Sequence, residues 1–382
     1  MKERKTCKVK DLAIMKNGKK RPNTVGHYPV YGGNGIMDYC NTYNNENTII
    51  IGRVGAYCGN VFYCKDKCWV SDNAIALCAN SDNNIKYLYY LLASLDLHHN
   101  HIGGAQPLMT QDIIGNFDVC VPNLKTQIQI ANILSSIDKK IELNRQINDN
   151  LEQQAQALYK SWFVDFEPFK DGKFEESEIG LIPEGWCVGK ADDFYEINIG
   201  KTPPRKEHEW FTLDKSQNIW VSISDLGSDS RFLFDSSEYL TDKAIQKHNI
   251  VLVPENTVLL SFKLTIGRVG IAGTQLTTNE AIARFITNSV NREYTYFLLK
   301  NFNYSKLGST SSIATAVNSK IIKAMMILMP NDECLLNFKK LVGPIIDGIK
   351  KNEEEILHLT ELRDTLLPKL MSGELKINEI DC

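Results

Sequence analysis

The sequence predicts an α+β protein: two globular, mostly β domains separated by two long helices that pair as an antiparallel coiled coil with pseudo-twofold symmetry. Three observations carry this expectation. First, the chain repeats itself, because Pro122-Asn123 recurs as Pro330-Asn331, 208 residues later, each time ahead of a long amphipathic stretch. Second, the regions upstream of both prolines are rich in Gly, Asn, Tyr and Val, with short β-like runs between turn signals. Third, each amphipathic stretch carries a sustained heptad seam. A period of this length exceeds the roughly 20–50 residues of a solenoid repeat, so a whole unit is duplicated.

Taken in order, residues 1–122 read as the first domain. Thr48-Ile49-Ile50-Ile51 and Asn60-Val61-Phe62-Tyr63 are strand-like, and Gly32-Gly33-Asn34-Gly35 is a turn. One helix is expected at about Ile85–Leu97, with His98, His99 and His101 in its last turn, where carbonyls favour cations. Residues 123–165 form the first long helix. Its seam runs Ile130, Leu134, Ile137, Ile141, Asn144, Asn148, Leu151, Ala155, Leu158, Trp162, without internal Pro or Gly. Leu143 and Ile147 are placed to carry the apolar stripe past the two asparagines. Residues 166–184, with Pro168, Gly172 and the acidic run Glu175-Glu176-Ser177-Glu178, read as a linker.

Residues 185–330 are the second domain and 331–372 the second long helix, followed by a tail at 373–382. Its seam includes Leu335, Phe338, Val342, Ile345, Ile349, Asn352, Ile356 and Leu359. Gly343-Pro344 and Gly348 interrupt it, which predicts a kink or a late start. Asn144 and Asn352 are equivalent under the 208-residue shift, as expected of a polar device that fixes register.

Composition narrows the function. The 382 residues are 43% hydrophobic and 23% charged, ordinary for a globular protein. No apolar run approaches the roughly 20 residues that cross a bilayer. No apolar signal-peptide core follows Met1-Lys2-Glu3-Arg4-Lys5, so a cytoplasmic protein without a membrane partner is expected. Ten cysteines include no C-x-x-C pair; Cys58, Cys64, Cys68 and Cys78 alternate along strands, and no metal is expected. A net charge of −3 is not the footprint of a strong free-standing nucleic-acid binder, so such a role needs local basic loops or a partner bringing positive charge.

Catalytic motifs are missing. Gly200-Lys201-Thr202 resembles the end of a phosphate loop, but Tyr195 stands where that motif needs glycine. Gly32-Gly33-Asn34-Gly35 lacks the third glycine of a dinucleotide fingerprint, no G-x-S-x-G elbow occurs, and no Asn-Pro-Pro-aromatic tetrad appears. A non-catalytic protein is expected, with no cofactor of its own.

The positive signals lie in loops. Lys16, Lys19, Lys20 and Arg21 cluster around Gly18 in the first domain, and Lys201, Arg205 and Lys206 sit at the equivalent place in the second; such clusters suit phosphate contacts. Gln106 follows a Gly-Gly turn, and a loop-borne Gln pairs with adenine as Arg does with guanine. Asn34, Arg53, Ser224, Asp225, Lys263, Arg268 and Ser311 occupy similar expected turns. For Arg53 and Arg268, a role in closing a turn is equally compatible with the flanking glycines. The two arginines sit in an apparent echo, Ile51-Gly52-Arg53-Val54-Gly55 with Ile266-Gly267-Arg268-Val269-Gly270. Asn73-Ala74-Ile75-Ala76 similarly echoes Glu280-Ala281-Ile282-Ala283.

Several segments together resemble the specificity (S) subunits of type I restriction–modification enzymes. These are Tyr31-Gly32-Gly33-Asn34-Gly35-Ile36, Ser71-Asp72-Asn73-Ala74-Ile75, Ala157-Leu158-Tyr159-Lys160-Ser161-Trp162-Phe163-Val164-Asp165-Phe166, Gly180-Leu181-Ile182-Pro183-Glu184-Gly185-Trp186 and Leu362-Arg363-Asp364-Thr365-Leu366-Leu367-Pro368-Lys369-Leu370-Met371-Ser372-Gly373-Glu374-Leu375. The resemblance spans essentially the whole chain. It implies two target-recognition domains, each reading one half of a split, asymmetric double-stranded DNA site. It also implies helices, with seam residues Ile137, Ile141, Asn144, Asn148, Leu151, Ile349, Asn352, Ile356 and Leu359, that act as a spacer and dock two methyltransferase subunits. Restriction subunits would join them, and S-adenosylmethionine, ATP and Mg would act on those partners and not on this chain. From Gly18 to Gly52 the first domain runs 34 residues and from Gly200 to Gly267 the second runs 67, so the half-sites should differ. Outside this family, the remaining reading is a non-catalytic two-domain adaptor binding protein or carbohydrate.

Overall fold

A computed structural model of the protein describes residues 4–104, 106–286, 292–307 and 317–377. The chain divides into unit 1, Met1–Glu142 with His358–Cys382, and unit 2, Leu143–Leu357.

In unit 1, β1 (Lys5–Lys8) pairs antiparallel with β9 (Asp118–Val121). The short helix α1 (Val9–Leu12) begins where the Asp11 carboxylate accepts the Lys8 N–H at 2.9 Å. A four-stranded sheet follows in the order β2 (Ala13–Asn17), β8 (Ala74–Ala79), β5 (Thr48–Gly52), β6 (Val61–Cys64). β5 is central and buried on both faces, which is why Ile49-Ile50-Ile51 is continuously apolar instead of alternating. A second small sheet has the order β4 (Gly35–Cys40), β3 (Tyr28–Gly32), β7 (Trp69–Val70).

Helix α2 (Ile85–Ser94) is capped by Asn84, whose side chain accepts from Tyr87 N–H at 3.0 Å. It buries Tyr87, Leu88, Leu91 and Leu92 in the core. It stops before the expected Leu97, because Leu95–Leu97 turn the chain and His98–Asn100 form a separate 3-10 turn. His98 Nδ1 then lies 2.9 Å from Cys58 O, so the histidines do not cap the helix carbonyls. Helix α3 (Gln111–Gly115), capped by Thr110, leads into β9.

Unit 2 rebuilds this frame and adds to it. Hairpin β10 (Phe174–Ser177)–β11 (Gly180–Pro183) lies in the stretch that reads as linker. β12 (Cys187–Lys190) pairs with β22 (Met326–Met329), and α5 (Ala191–Phe194) repeats the α1 cap, with Asp193 accepting the Lys190 N–H at 3.0 Å. The large sheet runs β13 (Glu196–Ile199), β21 (Ile282–Ile286), β18 (Val258–Ser261), β19 (Val269–Ala272), β16 (Phe232–Leu233). The small sheet runs β14 (Phe211–Thr212), β17 (Tyr239–Leu240), β15 (Asn218–Val221), β20 (Thr277–Thr278). Helices α6 (Asp242–His248), α7 (Arg292–Asn301) and α8 (Ser319–Lys323) complete the domain.

Strand order matches β2-β8-β5-β6 with β13-β21-β18-β19, and β3 and β7 with β15 and β20, both parallel pairs. Backbone bonds set the residue register. Gly59 N–H donates to Gly52 O at 2.9 Å, and Gly267 N–H donates to Ser261 O at 3.0 Å. Gly267 is thus the counterpart of Gly59, both at positive φ, and Gly52 is the counterpart of Ser261. The Ile-Gly-Arg-Val-Gly echo is therefore accidental: the first copy closes β5, the second opens β19. The Asn73–Ala76 echo is one residue out of step, since Ala74 pairs Gly52 as Ile282 pairs Ser261. The extra residues of unit 2 lie between Lys201 and β18, where β14, β16 and α6 have no counterpart in unit 1.

Both long helices are continuous: α4 (Leu124–Phe163) has 40 residues and α9 (Asp332–Ser372) has 41. At 1.5 Å per residue each is about 60 Å long. The repeated Pro-Asn is their start signal. Asn123 Oδ1 accepts from Thr126 N–H at 3.1 Å, and Asn331 Oδ1 accepts from Cys334 N–H at 2.9 Å. Helix α9 does not start late at Gly343-Pro344; Phe338, Val342 and Ile346 are buried on either side of the proline and hold the helix through it.

Within unit 2 the helices pair antiparallel, since Asn144 meets Glu355, Asn148 meets Asn352, and Leu151 lies against Gly348. In unit 1, Asp138 of α4 bonds Arg363 of α9 at 3.0 Å and accepts the Tyr90 hydroxyl. Leu143 and Ile147 do not carry the apolar stripe, being 47% and 40% exposed, while Asn144 and Asn148 are 1% exposed. The register device is also wider than two asparagines. Asn144 Nδ2 donates to Glu355 at 2.8 Å and Asn352 Nδ2 donates to Asn148 at 2.8 Å. Replacing Asn148 and Asn352 together by Leu should raise the thermal midpoint, because two desolvated amides are removed. A lower midpoint would show instead that the amide pair is net stabilising.

Candidate functional site

Gly18 and Gly200 place the two basic loops by the same means. A Cβ on Gly18 would stand 1.9 Å from Ser71 O, and one on Gly200 2.0 Å from Asn279 O. Only glycine lets the chain cross so close to the strand behind it. The next residue is then held by a ladder bond: Lys19 N–H donates to Val70 O at 3.0 Å, and Lys201 N–H to Thr278 O at 2.8 Å. An indole fixes the same carbonyl in each unit, from Trp69 to Lys19 O at 3.1 Å and from Trp220 to Lys201 O at 3.3 Å. Trp69 stands on β7 and Trp220 on β15, so neighbouring strands have exchanged the tryptophan.

The expected contact residues separate into free and committed groups. Lys19, Lys20 and Lys206 are exposed and make no side-chain hydrogen bond or ion pair among the described residues. Lys263 is exposed with its ammonium 5.7 Å from the Phe262 ring. Gln106 and Ser224 are exposed in loops, Ser224 bonded to Ser222 at 2.6 Å. Asn34 is exposed and lines a cavity of about 300 Å³ with Gly33, Met37, Tyr57 and Asn73.

Other candidates have internal duties. Arg268 Nη1 donates to Ile223 O at 2.7 Å and packs on Gly227, where a Cβ would stand 2.1 Å from it; this guanidinium closes a loop. Asp225 accepts from Ser222 N–H at 2.8 Å and Ser237 N–H at 3.0 Å, so it organises a turn. Arg53 is half-buried, with Nη1 3.4 Å from Asp72 O. Lys201 Nζ donates to His248 O at the end of α6. Arg21 pairs with Asp38 at 2.9 Å, and Arg205 with Glu238 at 2.8 Å. Ser311 lies outside the described residues.

A charged cluster that the sequence reading missed anchors the second domain within unit 2. Arg231, just before β16, bonds Glu152 of α4 at 2.8 Å and also pairs with Asp149. Glu152 also holds Lys300 and the Tyr296 hydroxyl. From α9, the buried Glu353 accepts the backbone N–H of Arg231 at 2.8 Å and of Phe232 at 2.7 Å. Burial pushes the Glu353 carboxyl up to about 7, although the two N–H bonds pull the other way. Glu152 moves down instead, because Lys300, Tyr296 and Arg231 overcome its burial.

No group of three or more His, Cys, Asp or Glu among the described residues is placed to hold a metal ion. Among the same residues no helix is long and apolar enough to cross a membrane. The arrangement offers two unlike polar surfaces built on one frame.

Known proteins resemble the chain on the same plan. A family model described as the type I restriction modification DNA specificity domain matches residues 1–153 and, again, 183–334. The type I restriction enzyme MjaIX specificity subunit of Methanocaldococcus jannaschii is 28% identical over 310 residues, covering 77% of this chain and 70% of that one. The HindI specificity subunit of Haemophilus influenzae is 27% identical over 334 residues, covering 71% and 72%. The crystal structure of the type I system S subunit from M. genitalium covers 96% of both chains with a TM-score of 0.63 at 16% identity, a likeness of fold.

Proposed function

Since the chain belongs to the family of type I restriction–modification DNA specificity subunits, we propose that its two domains read the unlike halves of a split double-stranded DNA site. The observation that carries this is the pairing of one frame with two different sets of loops. β2-β8-β5-β6 and β13-β21-β18-β19 agree strand for strand, while between Lys201 and β18 the second domain adds β14, β16 and α6, which have no match in unit 1. A frame kept constant under divergent loops is what two readers of different sequences require. The subunit itself is non-catalytic.

Adenine methylation and ATP-driven cleavage belong, on this reading, to two methyltransferase subunits and to restriction subunits, where S-adenosylmethionine, ATP and Mg act. The outward residues Leu143 and Ile147 on α4, and Leu336, Leu341 and Leu362 on α9, offer those partners apolar docking positions. Lys19, Lys20, Lys206 and Lys263 are assigned to phosphates, and Asn34, Gln106 and Ser224 to base edges. The partners also bring positive charge to a chain of net charge −3. The helices carry the spacing between half-sites.

Replacing residues 1–122 by the corresponding domain of another specificity subunit tests the reading. Methylation mapped across the genome of cells expressing the hybrid with its methyltransferase should show one half-site changed and the other kept. A change in both halves would contradict it.

A further inference from the structure

An arginine–carboxylate pair occupies the same place in both domains, although the two sequences around it share almost nothing. In unit 1, Arg21 Nη1 donates to Asp38 Oδ2 at 2.9 Å. In unit 2, Arg205 Nη1 donates to Glu238 Oε1 at 3.0 Å and to Oε2 at 2.8 Å. The carboxylates are structural counterparts. Lys19 binds Val70, which pairs with Tyr31 of β3; Lys201 binds Thr278, which pairs with Val221 of β15. Tyr31 thus matches Val221, and Val30 matches Trp220. Asp38 stands opposite Val30, and the backbone of Glu238 accepts from Trp220 N–H at 3.2 Å.

The arginines reach these carboxylates by different routes. Arg21 lies two positions after Lys19, whereas Arg205 comes four positions after Lys201, past Pro203-Pro204. The same pair has therefore been assembled twice from different loops. Stability does not explain this, because both pairs are about half exposed, and such surface pairs contribute little.

Resting on the DNA reading above, we infer that Arg21 and Arg205 are guanine readers, one in each half-site, and that Asp38 and Glu238 are the positioning residues that hold them. A guanidinium recognises guanine through two parallel N–H groups directed at O6 and N7. In each pair the carboxylate engages only Nη1, and Nη2 has no partner among the described residues. Arg205 is restrained further, with its Cζ 4.2 Å from the Phe211 ring centroid and 4.6 Å from that of Trp220. Contact with two nearly perpendicular rings confines the guanidinium and leaves an edge to present.

The attached carboxylate also decides between base and phosphate. A phosphate is anionic, and a carboxylate beside its arginine repels it. The acceptor edge of guanine is neutral, so an arginine braced by an acid still binds it. The phosphate role falls to the neighbouring lysines, Lys19, Lys20 and Lys206, which have no acid partner among the described residues.

The test maps methylated sites in cells that express the whole complex with wild-type chain or with Arg21→Gln, Arg205→Gln, Asp38→Asn or Glu238→Gln. Arg21→Gln should relax a single G·C position in one half-site, with discrimination falling about 10–100-fold, and leave the other half unchanged. Arg205→Gln should do the reciprocal. Asp38→Asn and Glu238→Gln should relax the same positions as their arginines, with unchanged melting temperatures. Arg21→Lys and Arg205→Lys, which keep the charge but lose the fork, should behave like the glutamine variants. Uniform weakening across all sites, rescued by lysine and with a salt slope reduced by about one, would show a phosphate contact and overturn the inference. A wild-type bipartite motif with no G·C pair in one half would overturn it too. A wild-type complex that methylates no defined motif would instead sink the DNA reading, and this assignment with it.

Discussion

Glu353→Gln should flatten a pH dependence of stability that is expected of the wild-type protein between about pH 4.5 and about 7. Glu353 is buried on α9 with both oxygens on backbone N–H groups, and burial lifts its carboxyl from 4.5 to about 7. In that window the folded chain holds a proton that the unfolded chain has released. Stability is therefore greatest at the acid end and falls as pH rises towards 7. At about 1.4 kcal/mol per pKa unit the loss is on the order of 3 kcal/mol. Glu152 does not mask it, because its carboxyl moves down, so its contribution is lost only as pH falls below 4.5. The groups facing Glu353 are Arg231, cationic throughout, and Glu152. Denaturant midpoints at pH 5 and pH 8 measure the slope, and an undiminished slope in Glu353→Gln would refute the assignment.

Gly200→Val should be among the most damaging single substitutions in the second domain, and Gly18→Val in the first. The atoms that a Cβ would strike are backbone oxygens, Asn279 O at 2.0 Å and Ser71 O at 1.9 Å, which cannot swing aside. The strand would have to separate from the loop, breaking the Lys201–Thr278 or Lys19–Val70 bond and pulling the carbonyl off its indole. Overpacking of about 1–3 kcal/mol and two lost hydrogen bonds of about 1 kcal/mol each put the cost on the order of 3–5 kcal/mol. Gly104→Ala is the control, since a Cβ there meets nothing within 4 Å and should change stability little. Equilibrium unfolding of the three variants decides the matter; similar midpoints for Gly200→Val and Gly104→Ala would contradict the close-approach argument.

Local pattern made the helices legible. Seam residues such as Ile137, Ile141 and Ile349 are buried, and the duplicated Pro-Asn marks two capped helix starts. Gly18-Lys19 and Gly200-Lys201 were also legible as equivalents, because a close approach imposes glycine on both. Other features depend on partners distant in sequence. Nothing near Arg21 announces Asp38, and nothing near Glu353 announces the N–H groups of Arg231 and Phe232. A glutamate outside the seam reads as solvated until the β16 edge is placed over it. The Ile-Gly-Arg-Val-Gly string misled for a related reason. Glycine is needed at Gly52, where a Cβ would lie 2.1 Å from Tyr57 O, and at Gly267, where φ is +91, so one residue type served two unrelated demands.

The extra residues of the second domain all lie between Lys201 and β18, a stretch bounded by strands that the first domain also has. Such a stretch behaves as a cassette. A recombination event with both breakpoints in frame strands would import new reading loops while leaving Gly200 and the helix pairing untouched, and Glu353 on α9 would grip the backbone N–H groups of the incoming β16 edge as it grips those of Arg231 and Phe232. Target preference can therefore change in a single genetic step, faster than by accumulating point substitutions, because the Glu353 contact is to backbone N–H groups that any residue except proline supplies at positions 231 and 232.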